Sequence, residues 1–145
     1  MRITSTKDKS RIAKVTKHQE IWPRISEDGM TDFHVDPDHL YLMDDDDIGL
    51  FVVHSINSVL FEVHIQVIPE ARHSAMEFLV KVLAYVWENT NAQKLMAMIP
   101  EIYPDVIRFA IKGGFHVEGY SRNSYQKDGR LIDQTYVGLE RPKAV

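Results

Sequence analysis

The stretch that most restricts the fold is LFEVHIQV, residues 60–67, in which Phe61, Val63, Ile65 and Val67 alternate with Glu62, His64 and Gln66. Side chains of a strand point alternately to its two faces, so this run predicts a strand with one apolar, core-facing side and one polar side. Directly behind it comes IPEARHSAMEF, residues 68–78, which places a proline and an arginine just before a helix start. In SAMEFLVKVLAYVWENT, Met76, Leu79, Val80, Leu83 and Trp87 fall at helical spacing, with Lys81 and Glu88 off the stripe. The first N–H groups of a helix lack partners within it, and the helix dipole favours negative charge there. A strand, a proline, an arginine and a helix start in that order therefore describe a loop suited to an anion.

The rest of the chain builds a mixed fold around this unit. Residues 8–22, DKSRIAKVTKHQEIW, set Ile12, Val15 and Ile21 among charges and predict an amphipathic helix. Residues 26–39, SEDGMTDFHVDPDH, are turn-rich, with Asp-Gly and Asp-Pro as breaks. LYLM, DDDDIG and LFVVHS read as two strands and a turn, and INS turns the chain again into LFEVHIQV. Links this short imply antiparallel neighbours. QKLMAMIP is a short buried strand, and YPDVIRFAIKGGF is a helix opened by Pro104 and stopped at Gly113-Gly114. HVEGYSRNSYQ and LIDQTYVGLER flank KDG as a terminal hairpin. A further short strand fits residues 1–5. The expected order is helix, three strands, helix, strand, helix, two strands, an α/β (α+β) arrangement. At 145 residues it forms one domain, 1–145.

Composition excludes several function classes. A net charge of −4 supplies no basic excess for DNA or RNA, so no nucleic-acid partner is expected. Cysteine is absent, which removes disulfide frameworks and Cys-based zinc sites and fits a reducing compartment. The N-terminus lacks an apolar signal core, and no stretch is apolar enough for a membrane span, so a soluble cytoplasmic protein is expected. Asp32, His34, Asp36, Asp38 and His39 carry metal-capable atoms, but at neither zinc nor calcium-loop spacing. They read as a solvated acidic turn region, as does DDDDIG, and no metal is expected. No nucleophile triad or Walker loop is present.

From about Leu40 to Arg141 the order of elements and several motifs resemble the GNAT acyltransferase family. The residues that carry the likeness are Val67-Ile68-Pro69-Glu70-Ala71-Arg72, Gly114-Phe115 with Glu118-Gly119, and Tyr125-Gln126-Lys127-Asp128-Gly129 with Asp133. The closing pattern is similar to the branch that modifies ribosomal-protein N-termini. EVHIQVIPEAR and NSYQKDGRLIDQTYVGL resemble, more narrowly, a small GNAT-like family of tailed phages and prophages.

The resemblance implies a central mixed, mostly antiparallel sheet with splayed strands, flanked by helices. It implies acetyl-CoA as co-substrate, an amine-bearing small molecule or protein as acceptor, and direct attack in a ternary complex. Val67 would pair with the pantetheine arm. Arg72 takes the first position of the pyrophosphate signature, His73, Ser74 and Met76 its variable positions, and Ala75 and Glu77 stand where the family has glycine and a second small residue. Glu77 in that turn would repel the pyrophosphate unless its side chain turns outward. Glu62 and His64 would serve as base, and Tyr125 would line the acceptor side. The family's thiolate-protonating Tyr is Ala110 here, two residues before Lys112, and its Asn aligns with Tyr103, which could supply a hydroxyl. The turn-rich 26–39 stretch falls where an acceptor loop would lie. The same likeness allows two other readings: a catalytically silent phage protein acting in virion or head assembly among phage structural proteins, in the host cytoplasm or the virion, and a module binding CoA or a protein without turnover. GNAT domains also often form homodimers.

Overall fold

A computed structural model gives the fold and describes residues 1–143. The elements in chain order are β1 (Ile3–Ser5), α1 (Lys9–Thr16), α2 (Trp22–Ile25), β2 (Leu40–Asp44), β3 (Gly49–Ser55) and β4 (Leu60–Val67). A 3-10 helix (Pro69–Ser74) then runs into α3 (Ala75–Asn89), followed by β5 (Lys94–Pro100), α4 (Pro104–Lys112), β6 (His116–Lys127) and β7 (Arg130–Glu140). The seven strands form one sheet in the order β1-β2-β3-β4-β5-β7-β6. Every neighbouring pair is antiparallel except β4 and β5, which run parallel. The link between those two is α3, because parallel neighbours need a crossover long enough to return the chain to the same end.

The sheet is packed on both faces. On one, Phe51, Val53, Val63 and Leu95 pack with Phe78, Leu79, Val82 and Val86 of α3, and α4 adds Val106, Ile107 and Phe109. On the other, Tyr41, Met43, Leu50 and Val52 meet Ile12, Val15 and Ile21. The expected stripe of α3 is rotated in the fold. Val80 is 59% exposed, and Phe78, Val82 and Val86 carry the buried face with Leu79. Periodicity allowed either set, and packing against β3 and β4 selects the second.

The N-terminal helix expected over residues 8–22 is broken. α1 is capped by Asp8, whose carboxylate accepts from Ser10 and Arg11 N–H, and it stops at Thr16. Ile21 reaches the core only after a turn, and Pro23 then opens α2 as a separate short helix. The DDDDIG turn is less solvated than expected. Asp44 is buried and its carboxylate accepts from the N–H groups of Asp46, Ile48 and Gly49, while Asp47 is held by Arg11 at 2.8 Å and Lys14 at 3.0 Å. These carboxylates fix the β2–β3 turn, where Asp47 adopts φ 55°. Among the described residues no helix is long and apolar enough to cross a membrane.

Candidate active site

β4 and β5 are paired only at Leu60–Lys94, Phe61–Leu95 and Glu62–Met96. Past Glu62 the strands part. β4 stays paired to β3 as far as Val67, and β5 to β7 as far as Pro100, so each strand keeps one partnered edge and loses the other. The gap is the wall of a cavity of about 770 Å³, lined by residues 63–67 on one side and 97–100 on the other. Unpaired strand edges of this kind offer N–H and C=O groups to an extended ligand.

The 3-10 helix and α3 close the mouth. Arg72, His73, Ala75, Met76 and Leu79 line the cavity, as does Val67, whereas Ser74 and Glu77 do not. Glu77 is exposed on the outer side of α3. The turn is tighter than an open phosphate loop, since the Ala75 N–H already donates to the Arg72 carbonyl and Ser74 gives no side-chain cap. The Arg72 and His73 side chains, both exposed, are therefore the cationic and hydrogen-bonding groups at this end.

The opposite end is built by α2, the 26–39 loop, Tyr103 and Tyr125. Lys127 donates from Nζ to the carbonyls of Pro23 at 2.6 Å and Ser26 at 2.5 Å, and the Asp28 carboxylate accepts from the N–H groups of Asp128 and Gly129. These contacts tie the loop to the terminal hairpin and set Met30 and Phe33 on the cavity wall. Tyr103 precedes α4, and its hydroxyl lies 3.4 Å from the Pro23 carbonyl. The Arg24 guanidinium sits 4.7 Å over its ring and donates to Asp105 at 2.6 Å. Burial raises the Tyr103 pKa, against the pull of Arg24. Burial also pushes Tyr125 up to about 12, with Tyr103 beside it adding to the effect. Both phenols line the cavity and stay protonated at neutral pH.

His64 and Glu62 share the polar face of β4 but stand differently to the cavity. His64 lines it and Glu62 does not. Glu62 lies behind, with Oε1 3.4 Å from His64 Nε2 and 3.1 Å from His54 Nε2. The hydrogen bond from His64 holds the Glu62 carboxyl below its usual range despite partial burial. Burial pushes His54 below the usual imidazole range over the opposing pull of Glu62. At neutral pH Glu62 is therefore ionised and His54 neutral. His54 stacks on His39 with ring centroids 4.5 Å apart, and on His64 at 6.1 Å. His54 was the residue missed by reading the sequence. It is the cross-strand partner of Glu62, a relation set by the β3–β4 register and invisible in either strand alone. Ala110 and Lys112 of α4 both line the cavity, so no tyrosine stands at the position where the resemblance places one.

No protein-family model matches this sequence, and no curated protein matches it significantly. Solved structures do match in fold. Spermidine N-acetyltransferase from Vibrio cholerae, in complex with CoA and spermine, shares 18% identity over 96% of this chain and 94% of its own, with a TM-score of 0.78. Ribosomal-protein-alanine N-acetyltransferase from Brucella melitensis shares 13% identity over 97% and 100%, with a TM-score of 0.73. A GNAT superfamily phosphinothricin acetyltransferase from Sinorhizobium meliloti, in complex with AcCoA, shares 20% identity over 70% and 60%, with a TM-score of 0.58. The mixed sheet, its single parallel junction and these neighbours together give the chain the fold of the GNAT-superfamily N-acetyltransferases.

Proposed function

We propose that the chain is an acyl-CoA-dependent N-acyltransferase that moves an acetyl group from acetyl-CoA to an amine by direct attack. The observation that carries this reading is the parting of β4 and β5 beyond Glu62, which opens a cavity running from the start of α3 to the two tyrosines. The pantetheine arm would lie along the free edge near Val67, with the pyrophosphate beside Arg72 and His73. His64 would take the proton of the incoming ammonium, held in place by Glu62 behind it. The amine nitrogen then bonds to the thioester carbon, the C–S bond breaks, the leaving thiolate takes a proton from Tyr103, and the second proton that the nitrogen loses as the amide forms returns through solvent to the Tyr103 oxygen. Tyr125 lines the acceptor end.

The wall at that end also speaks to the acceptor. Ile25, Met30 and Phe33 are apolar, and Asp105, the one carboxylate among the described lining residues, is held by Arg24. An amine on an apolar body suits this chamber better than a polycation, which needs unpaired carboxylates around it.

The test is a thermal melt with and without acetyl-CoA. Acetyl-CoA at about 100 times its dissociation constant stabilises the folded state by roughly 2.7 kcal/mol. At about 2.1 cal/mol/K of unfolding entropy per residue, 145 residues give about 0.30 kcal/mol/K, so the melting temperature rises by about 9 °C. If acetyl-CoA in the millimolar range leaves it unchanged, the enzyme reading fails, and the catalytically silent assembly or interaction reading of the same fold replaces it.

A further inference from the structure

We propose that His54, Glu62 and His64 form a site for one divalent transition-metal ion, of which zinc is the best fit. Three donors converge on one point of the sheet surface. Glu62 and His64 are two apart on β4 and so face the same way, and His54 is directly opposite Glu62 on β3. Both imidazoles approach the same carboxylate oxygen, Oε1, with His54 Nε2 at 3.1 Å and His64 Nε2 at 3.4 Å. Ligand atoms from the three side chains all lie within 4.8 Å of one another. Zinc holds N and O ligands at about 2.0–2.2 Å, which sets neighbouring ligands of a tetrahedron roughly 3.3–3.6 Å apart. The two His–Glu distances are close to that before any ion is placed. Two neutral imidazoles and one carboxylate also form a donor set that zinc, cobalt and nickel accept readily and that magnesium and calcium do not.

The surroundings favour an open site over a purely structural cluster. A second cavity of about 480 Å³ lies over the histidines, lined among others by Phe33, His34 and His39, and it leaves room for water or a further ligand on the ion. His54 Nδ1 is buried without a hydrogen-bond partner among the described residues, so the contact with Glu62 is this imidazole's one polar tie. Linear spacing concealed the site. The metal-capable residues that stand out in the sequence lie in the 26–39 loop, whereas these three are joined by strand register.

Zinc titration of the chelator-treated protein tests this without reading acyltransfer; an ion on His64 Nε2 removes the basic nitrogen of the base proposed above, so the zinc-bound and acyltransfer-competent forms of this cluster exclude one another. We expect one Zn²⁺ per chain, and Co²⁺ in its place should give the strong visible bands of a low-coordinate site. His54→Ala, Glu62→Gln and His64→Asn should each weaken zinc by more than about 100-fold, since loss of a direct ligand exceeds the 10–100-fold cost of losing an outer partner. His64 is 48% exposed, so His64→Asn keeps the test valid if His54→Ala does not fold. His18→Ala should leave binding intact and serves as control, because His18, Glu20 and Glu70 form another three-residue group. The proposal is overturned if zinc does not bind at about 0.1 mM free ion. It is also overturned if binding survives His64→Asn and Glu62→Gln, or if it is His18→Ala that removes it.

Discussion

Arg141 gives the clearest quantitative prediction. Its guanidinium donates to three carbonyls at and beyond the C-terminus of α3: Trp87 at 2.8 Å, Thr90 at 2.8 Å and Ala92 at 2.7 Å. It also lies 5.2 Å over the Trp87 ring. Terminal carbonyls of a helix have no partner within it, and a cation there opposes the negative end of the dipole. One charge-assisted hydrogen bond contributes about 1.5–3 kcal/mol. Three from one group do not add, because a single side chain is ordered and Arg141→Ala lets water reach the released carbonyls. We therefore expect Arg141→Ala to cost about 3 kcal/mol, a value between one such bond and two. With the unfolding entropy of about 0.30 kcal/mol/K used above, the melting temperature falls by about 10 °C. Arg141→Lys should recover less than half, since an ammonium cannot span three carbonyls as a planar fork does. Thermal denaturation followed by circular dichroism reads both variants. A loss below about 1 kcal/mol for Arg141→Ala, or equal stability of Arg141→Lys and wild type, would refute the reasoning.

Further outcomes follow from other parts of the molecule. Gly49→Ala should destabilise by about 1–3 kcal/mol in chemical denaturation, because a Cβ there meets the fully buried Phe78 ring at 2.7 Å. Arg72→Ala should weaken acetyl-CoA by roughly 10-fold, the loss of one charge-assisted contact at an exposed site. Glu77→Gln should change it by about 2-fold or less, because this exposed carboxylate does not line the cavity and water and salt screen its field; isothermal titration separates the two, and equal effects would place both side chains at the phosphate. Tyr125 gives a pH dependence of stability. Its folded pKa of about 12 lies above the unfolded value near 10, so the folded state binds more protons between those pH values and stability falls as pH rises through them. The ring is only half-buried, so solvent screening limits the fall to about 1 kcal/mol, and Tyr125→Phe should remove it in melts at pH 9 and pH 11.

Much of the fold was legible because local signals agreed with it. The alternation in β4, the stop at Gly113-Gly114 and the KDG turn are fixed by short-range chemistry. Gly114 does take φ 105°, and Asp128 and Gly129 take φ 53° and 74°, the positive pair of a tight hairpin turn. What was not legible depends on partners distant in sequence. The break after Thr16 follows from where Ile12, Val15 and Ile21 must meet the sheet, and the burial of Asp44 from three backbone donors gathered by its own turn. The histidine stack joins His39, His54 and His64 from a loop and two strands. Composition marks each as polar and solvated until the register places them side by side.

The same limit governs Glu77. Aligned as a linear motif, it stands two places after Ala75 and inherits a position at the phosphate. On a helix each residue turns by about 100°, so Glu77 is rotated by roughly 200° from Ala75, to the far side of α3. The positions that reach the cavity are Arg72 and His73 at the end of the 3-10 helix and Ala75, Met76 and Leu79 of α3, the last three on one side of that helix. The repulsion expected from Glu77 therefore acts across solvent and not within the turn, where it is weak. The larger departure from an open anion loop is the 3-10 helix over Pro69–Ser74, which commits the Ala75 N–H to Arg72 and leaves side chains to do what backbone amides would otherwise do. A reading that depended on glycine at position 75 would predict little anion affinity at this turn. One that rests on Arg72 and His73 predicts affinity that is carried by charge and falls with salt.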